Sequence, residues 1–463
     1  MSVALDALVC AGCGASPPLS EPYPFRCPNA NGDDVDHVLR RVLPADVAFP
    51  PDEDPNPFIR YRTLLHSYRF GRACGLRDDE FCDLVRRLDA DVARVDGRGF
   101  TVTPLARCDE LSELLGFTDG GVWVKDETGN VSGSHKARHL FEVLLQLEVA
   151  EAVDLTPDAQ RPLAIASCGN AALAAAVLAA AAGRELRVFV PSDVDPSVRL
   201  RLDELGADVV VCSRRGGERG DPTYAALLAA LAAGAVPFTC QGNLNGLAVE
   251  GGETLGYELV SQLGAAGAEL DRIVVQVGGG ALASAVAASM REAAGLGMLG
   301  RAPRLDTVQT AGAWPLRRAF DLVRARGAHA LTYAAHHRSE FMWAWDEEPH
   351  SIAAGILDDE TYDWLAVVEA MLTTGGRPIV APESTLARAH ALARATTGID
   401  VDPTGSSGLA GLLALLAADE VDRREQVAVL FTGITRTTTT TKETYDEKLP
   451  RARHPVAQGL RAR

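Results

Sequence analysis

From Gly120 onward the chain alternates between two textures. Short apolar runs rich in Val and Ile are followed by longer Ala/Leu-rich stretches with helical spacing. "LAIAS" precedes "AALAAAVLAAAAG", "LRVFVP" precedes "SVRLRLDELG", "ADVVVC" precedes "TYAALLAALAAG", and "DRIVVQV" precedes a helix opened by "GGGALASAVAASM". "QVAVLF" near the end reads as one more strand. Strands apolar at nearly every position are covered on both faces. The pattern therefore predicts βαβ units and an α/β fold, with mostly parallel sheet between layers of helix.

Two regions depart from this rhythm. The first hundred residues look irregular, apart from a helical pattern in "DDEFCDLVRRLDADVARV". The stretch from about Trp314 to Leu365 breaks the alternation and holds "AAHHRSEFMWAWDEEPH". His336 and His337 are adjacent, so they lack the i,i+4 spacing of a helical metal pair. A solvated or packed loop is expected there, with a substrate-gating segment as the alternative. The threonine run from Thr435 to Lys442 predicts an exposed tail.

The chain has 463 residues, 47% of them hydrophobic, enough for a sizeable core in two lobes. A formal net charge of −17 is a poor match for nucleic acid or an anionic membrane face, so both are excluded as general partners. The N-terminus lacks the basic and long apolar segments of a secretory signal. Pro162 to Gly183 carries no charge, but its Ala and Gly content and its Cys-Gly-Asn interruption read as strand, turn and helix rather than a membrane span. Nine scattered cysteines suggest a reducing compartment, and a cytoplasmic protein is expected.

Chemistry enters at four turns beside predicted strands, where open α/β sheets bind their ligands. In "GNVSGSHKARHL" one lysine, Lys136, stands among small and hydroxyl residues, with His135 before it. A partly desolvated amine without an anionic partner gives up its proton more readily and can attack a carbonyl. The alternative is an ordinary lysine opening a helix. "SCGNAALAAA" puts Ser167, Cys168, Gly169 and Asn170 at a helix start, suited to a carboxylate, a ring hydroxyl or a plain cap. "QVGGGALAS" is strand, three glycines, then helix, so backbone N–H groups can converge on a phosphate, a plain turn being the equal alternative. Its spacing is neither G-x-G-x-x-G nor a P-loop, which excludes a dinucleotide or triphosphate site. Finally, Thr432 and Gly433 follow the last strand in "LFTGITR".

Taken together and in this order, the four turns resemble pyridoxal 5'-phosphate enzymes of fold type II, the tryptophan synthase β and threonine synthase group. The resemblance runs from about Thr101 to Gly433. It implies that Lys136 holds the cofactor aldehyde and later shuttles protons. Asn170 would bond the ring hydroxyl, and Ser167, Cys168 and Gly169 would hold the substrate carboxylate. Gly278, Gly279, Gly280, Ala281 and Leu282 would cradle the phosphate, and Thr432 would face the pyridine nitrogen. A hydroxyl there makes the ring a weaker electron sink, which suits elimination or replacement over transamination.

Within the group, "GGVWVKDETGNVSGSHKARH", "PFIRYRTLL" and "RGFTVTPL" resemble threonine synthase, while "GNLNGLAVEGGETLGYELVSQL" and "DVDPTGSSGLAGLLAL" resemble segments shared with threonine/serine dehydratases. "CAGCG" and "RCP" resemble the zinc-ribbon-like start of some threonine synthases. Ala30 stands where a fourth cysteine would be, so no metal is assigned; Cys10, Cys13 and Cys27 are the candidates, needing a substitute such as His37. Ala171 replaces a threonine that helps with a phosphorylated substrate, and His135 is closer to tryptophan synthase β.

The resemblance thus implies a lyase acting on a small hydroxy or O-phosphohydroxy amino acid. Threonine synthase-like conversion of O-phosphohomoserine leads over threonine/serine ammonia-lyase, with a β-replacement synthase third and an inactive partner subunit as the non-enzyme reading. The expected organisation is an arm over 1–100, a catalytic core over 101–435 with a smaller lobe inserted at about 140–240, and a tail over 436–463. A homodimer is expected from the family.

Overall fold

The computed structural model describes residues 7–436 except 19, 52, 157–160 and 215–219. The predicted tail beyond Arg436 lies outside the described residues.

Among the described residues twelve strands form three sheets. β1 (Ala7–Cys10) and β2 (Leu39–Val42) make a small antiparallel ribbon in the arm. The central sheet contains β3 (Leu105–Arg107), β4 (Gly121–Asp126), β9 (Arg272–Gln276), β10 (Arg304–Thr310), β11 (Pro378–Ala381) and β12 (Gln426–Phe431). Its order is β11-β10-β9-β12-β4-β3, parallel except for β3. The smaller sheet is wholly parallel, in the order β7-β6-β5-β8, from β5 (Leu163–Ala166), β6 (Leu186–Pro191), β7 (Asp208–Cys212) and β8 (Val236–Pro237). The α/β fold with two mostly parallel sheets follows from the alternation already described.

Burial explains the composition. β9 and β12 are buried along nearly their whole length because helices cover both sides of the sheet. The uncharged stretch Pro162–Gly183 is β5 followed by the helix Asn170–Ala181, whose residues Ala172 to Ala179 are all buried in the smaller lobe. Small side chains let that helix pack closely on every face. Among the described residues no helix is long and apolar enough to cross a membrane.

The arm is more regular than expected. Besides Asp78–Asp96, which carries three acidic residues in its first turn and a left-handed Gly97 at its end, it contains helices Pro57–Arg60 and His66–Ala73. The expected loop at His336 and His337 is also corrected. Pro315–Arg326 and Ala330–His336 are helices, and His337 caps the second while its ring stacks on Tyr333 at 3.8 Å. Alternating aromatic and charged residues hid these short turns, which are held by packing rather than by a long apolar stripe.

Candidate functional site

All four chemistry-bearing turns lie at carboxyl ends of parallel strands. The lysine loop follows β4, the Ser167–Asn170 turn follows β5, the glycine loop follows β9, and Thr432 follows β12. β12 lies between β4 and β9, so three of these ends are neighbours within one sheet.

Lys136 is the first residue of the helix Lys136–Ala152. Among the described residues nothing forms an ion pair or hydrogen bond with its amine. Its loop is strapped to the end of β12. His135 N–H donates to the Thr432 carbonyl at 3.1 Å, Ile434 N–H donates to the Gly133 carbonyl at 2.9 Å, and Ser134 bridges to Gly433. Gly133 has φ +69°, and a Cβ there would lie 2.5 Å from the Ile434 side chain, so glycine is required.

Two residues into the same helix, Arg138 anchors it in a buried network. Its guanidinium donates to Glu127 at 2.7 Å and to Glu258 at 2.6 Å, and Lys125 donates to Glu258 at 2.6 Å. All four side chains are fully buried. The paired carboxylates hold Arg138 charged against its burial, raising its pKa further. His139, one turn along from His135, donates from Nδ1 to the Ala248 carbonyl at 2.7 Å. Burial, then the nearby Lys136 charge, pushes its pKa down to about 3, so the imidazole is neutral. His135 is held neutral for the same two reasons.

Thr432 is buried, and its Oγ1 accepts a 2.8 Å hydrogen bond from Gln276 Nε2. The hydroxyl proton is thereby left free to donate elsewhere. Asn170 opens its helix beside Gly433, its Oδ1 accepts from Arg436 Nη2 at 2.8 Å, and its amide nitrogen lies beside Asp402. Ser167 is half-buried, its Oγ accepting from Gly169 N–H at 3.4 Å. Cys168 is exposed at the same turn, and partial desolvation plus the fields of Asp358, Asp193 and Asp221 raise its thiol pKa. It is therefore a poor nucleophile.

Gly278, Gly279 and Gly280 link β9 to the helix Ala281–Gly295, in which Ala281 and Leu282 are the first residues and both are buried. Gly280 has φ +101°. The strip Ile356–Trp364 closes over this loop. Thr361 Oγ1 donates to the Gly278 carbonyl at 3.0 Å, and Asp363 N–H donates to the Gly279 carbonyl at 3.0 Å. The Asp358 carboxylate faces the Gly279 amide, and a Cβ on Gly278 would meet its Oδ2 at 2.3 Å. Desolvation pushes Asp358 up to about 6, against the pull of the Lys136 charge. Asp363, buried on the other side of the loop, is pushed up to about 7 by the same desolvation.

Sequence reasoning missed Gln276, Asp358, Asp363, Asp402 and Arg436. Gln276 could have been found as a polar residue ending an otherwise apolar strand. The aspartates sit in aperiodic segments, with no local signal for which of several acids turns inward.

Residues 98–433 match the family described as pyridoxal-phosphate dependent enzyme. The chain belongs to that family. As a pyridoxal-phosphate enzyme it is similar to threonine synthase of Methanosarcina acetivorans, 27% identical over 332 residues, 72% of this chain and 74% of the relative. It is also similar to threonine synthase of Mycobacterium tuberculosis, 26% identical over 72% of this chain and 80% of the relative. Among solved structures, the T.th. threonine deaminase aligns with a TM-score of 0.56 at 22% identity, covering 76% of this chain and 98% of that one. Diaminopropionate ammonia lyase of Escherichia coli aligns at 0.57 and 18%, covering 76% and 88%. These last two establish the fold, the two-lobed fold type II arrangement.

The residues present fit the cofactor. The glycine loop is a cup that a Cβ would fill, the Gly279 amide already faces the Asp358 carboxylate, and a helix begins there. Asp358 thus occupies an N–H group, that of Gly279, that a phosphate would use. Lys136 presents an unpartnered amine, and Thr432 a free hydroxyl proton.

Proposed function

We propose that the enzyme is a lyase, eliminating or replacing a group at Cβ or Cγ of a small amino acid. The observation that carries this is the hydroxyl of Thr432, fixed by Gln276, at the end of β12. Bound pyridoxal phosphate supplies an electron sink for bonds at the substrate α-carbon. A hydroxyl beside the ring nitrogen does not keep it protonated as a carboxylate would, so departure of a leaving group is favoured over transamination.

The chain's own residues divide the remaining work. Lys136 would hold the cofactor aldehyde and carry the α-proton. Ser167, Cys168, Gly169 and Asn170 would offer N–H, hydroxyl and amide groups to the substrate carboxylate, with Asn170 also facing the ring hydroxyl. Gly278, Gly279, Gly280, Ala281 and Leu282 would hold the phosphate.

Charge separates the candidate substrates. Asp358, Asp193 and Asp221 all act on Cys168, and Ala171 offers no hydroxyl. A phosphate dianion on the substrate needs cationic or N–H partners. Arg436, which stands on Asn170, is a cation at that turn, but the acids acting on Cys168 and the missing hydroxyl at Ala171 put ammonia-lyase chemistry on threonine or serine first. Conversion of O-phosphohomoserine to threonine is the second, supported by the threonine synthases among the relatives. We also propose a cytoplasmic homodimer. Separate assays with L-threonine, L-serine and O-phospho-L-homoserine test the choice. 2-Oxo acid and ammonia from either of the first two support the ammonia-lyase, phosphate plus threonine from the third supports the synthase, and no turnover of any of the three contradicts both.

A further inference from the structure

The arm holds a second cluster of chemistry that the reaction does not use. Sγ of Cys10, Cys13 and Cys27 and a ring nitrogen of His37 all lie within 4.8 Å of one another. Cys10 Sγ is 3.4 Å from His37 Nδ1, and Cys13 Sγ is 3.6 Å from Cys27 Sγ. Zinc bonds of about 2.3 Å to sulfur and about 2.0–2.1 Å to nitrogen give tetrahedral edges of about 3.6–3.8 Å, close to both spacings. All three cysteines are free thiols.

The backbone around them is built for thiolates. Cys10 to Cys13 forms a tight turn in which Gly14 N–H donates to the Cys10 carbonyl at 2.9 Å and Gly14 takes φ +73°. Cys13 N–H points at Cys10 Sγ (3.5 Å), and Asn29 N–H points at Cys27 Sγ (3.4 Å). A Cβ on Gly12 would lie 2.5 Å from the Asp36 carbonyl, so that glycine lets the His37 segment press onto the turn. His37 Nε2 is 2.9 Å from Asp33 Oδ1. A carboxylate on the outer nitrogen fixes the tautomer and leaves the Nδ1 lone pair directed at the thiols, the usual support of a metal-bound histidine.

We propose that Cys10, Cys13, Cys27 and His37 form a closed, structural zinc site. His37 supplies the ligand that Ala30 cannot. The need for it is physical: among the described residues the cluster's own apolar core comprises only Cys10, Cys27 and Leu39, with Cys13, Ala15 and Ala30 against it. So small a core requires a staple.

The site also has a consequence for the cleft. Asp36, next to His37, accepts from Trp364 Nε1 at 3.0 Å and pairs with Arg338 at 3.4 Å, and its N–H donates to the Ala335 carbonyl at 2.8 Å. Trp364 follows Asp363, which closes on the glycine loop. The zinc therefore pins the arm against the strip that covers the cofactor cup. This holds whatever the substrate.

Metal analysis of the full-length protein, as purified and after anaerobic reconstitution with zinc chloride, tests the proposal. About one zinc per chain is expected. It should survive in Cys74→Ser, which alters an exposed cysteine elsewhere, and be lost in Cys13→Ser and His37→Ala. Cobalt substitution provides a readout independent of variants: intense thiolate-to-cobalt and tetrahedral bands are expected. Absence of zinc in both wild-type preparations, zinc retained in Cys13→Ser together with His37→Ala, or six-coordinate cobalt spectra would each overturn the assignment.

Discussion

Gln276 Nε2 donates to Thr432 Oγ1 at 2.8 Å, joining the ends of two adjacent parallel strands. The same amide also donates to the carbonyls of Gly405 and Leu430, at 2.9 and 3.1 Å. The two amide protons are shared among three acceptors, and the Thr432 hydroxyl, an acceptor here, keeps its own proton to donate.

Thr432→Val keeps the shape and removes that proton. The loss of one hydrogen bond of about 1–2 kcal/mol predicts a fall of about 5- to 30-fold in kcat, with little change in thermal stability. Steady-state kinetics beside a melting curve check this. An unchanged kcat would show that the hydroxyl does not meet the ring.

Arg138, two residues after Lys136, bridges two buried carboxylates. Arg138→Met leaves Glu127 and Glu258 without their guanidinium partner, and a destabilisation of about 3–5 kcal/mol is expected. Urea unfolding measures it. The double variant with Glu258→Gln should recover part of the loss, since a buried unpaired charge rather than lost packing is the cause.

The Asp358 carboxylate competes for the glycine cup. Its pKa, pushed up to about 6, lies above the ordinary value, so it is neutral below that pH and anionic above it. Cofactor affinity should weaken as pH rises through about 6, because an anion then opposes the phosphate. Asp358→Asn should bind cofactor several-fold more tightly at about pH 8 and lose that part of the pH dependence. Fluorescence titration of apoenzyme reads both. Gly278→Ala should weaken binding in the wild-type background and less so beside Asp358→Ala, because its Cβ would meet that carboxylate.

How much of this the sequence disclosed follows from local physics. A strand apolar on both faces, a turn of small residues and a helix start are all encoded within about ten residues. The placement of Lys136, Asn170, the Gly278–Gly280 loop and Thr432 at strand ends was therefore legible, as was the α/β class. Asp358 and Asp363 were not, because their segment has no period and its geometry is set by contacts with a glycine loop some eighty residues earlier. His37 had only its proximity to three cysteines in sequence. Its turn toward them depends on Gly12 and Asp33, which no spacing rule names. His336 was misread because a helix of seven residues leaves too short a stripe to recognise.

The central claim is that Lys136 carries the cofactor. Borohydride reduction of the cofactor-loaded enzyme, followed by peptide mass mapping, tests it most directly. The account predicts one reduced pyridoxyl-phosphate adduct, on Lys136, and none in Lys136→Ala. An adduct on any other lysine, or none on the wild-type protein after cofactor loading, would contradict it.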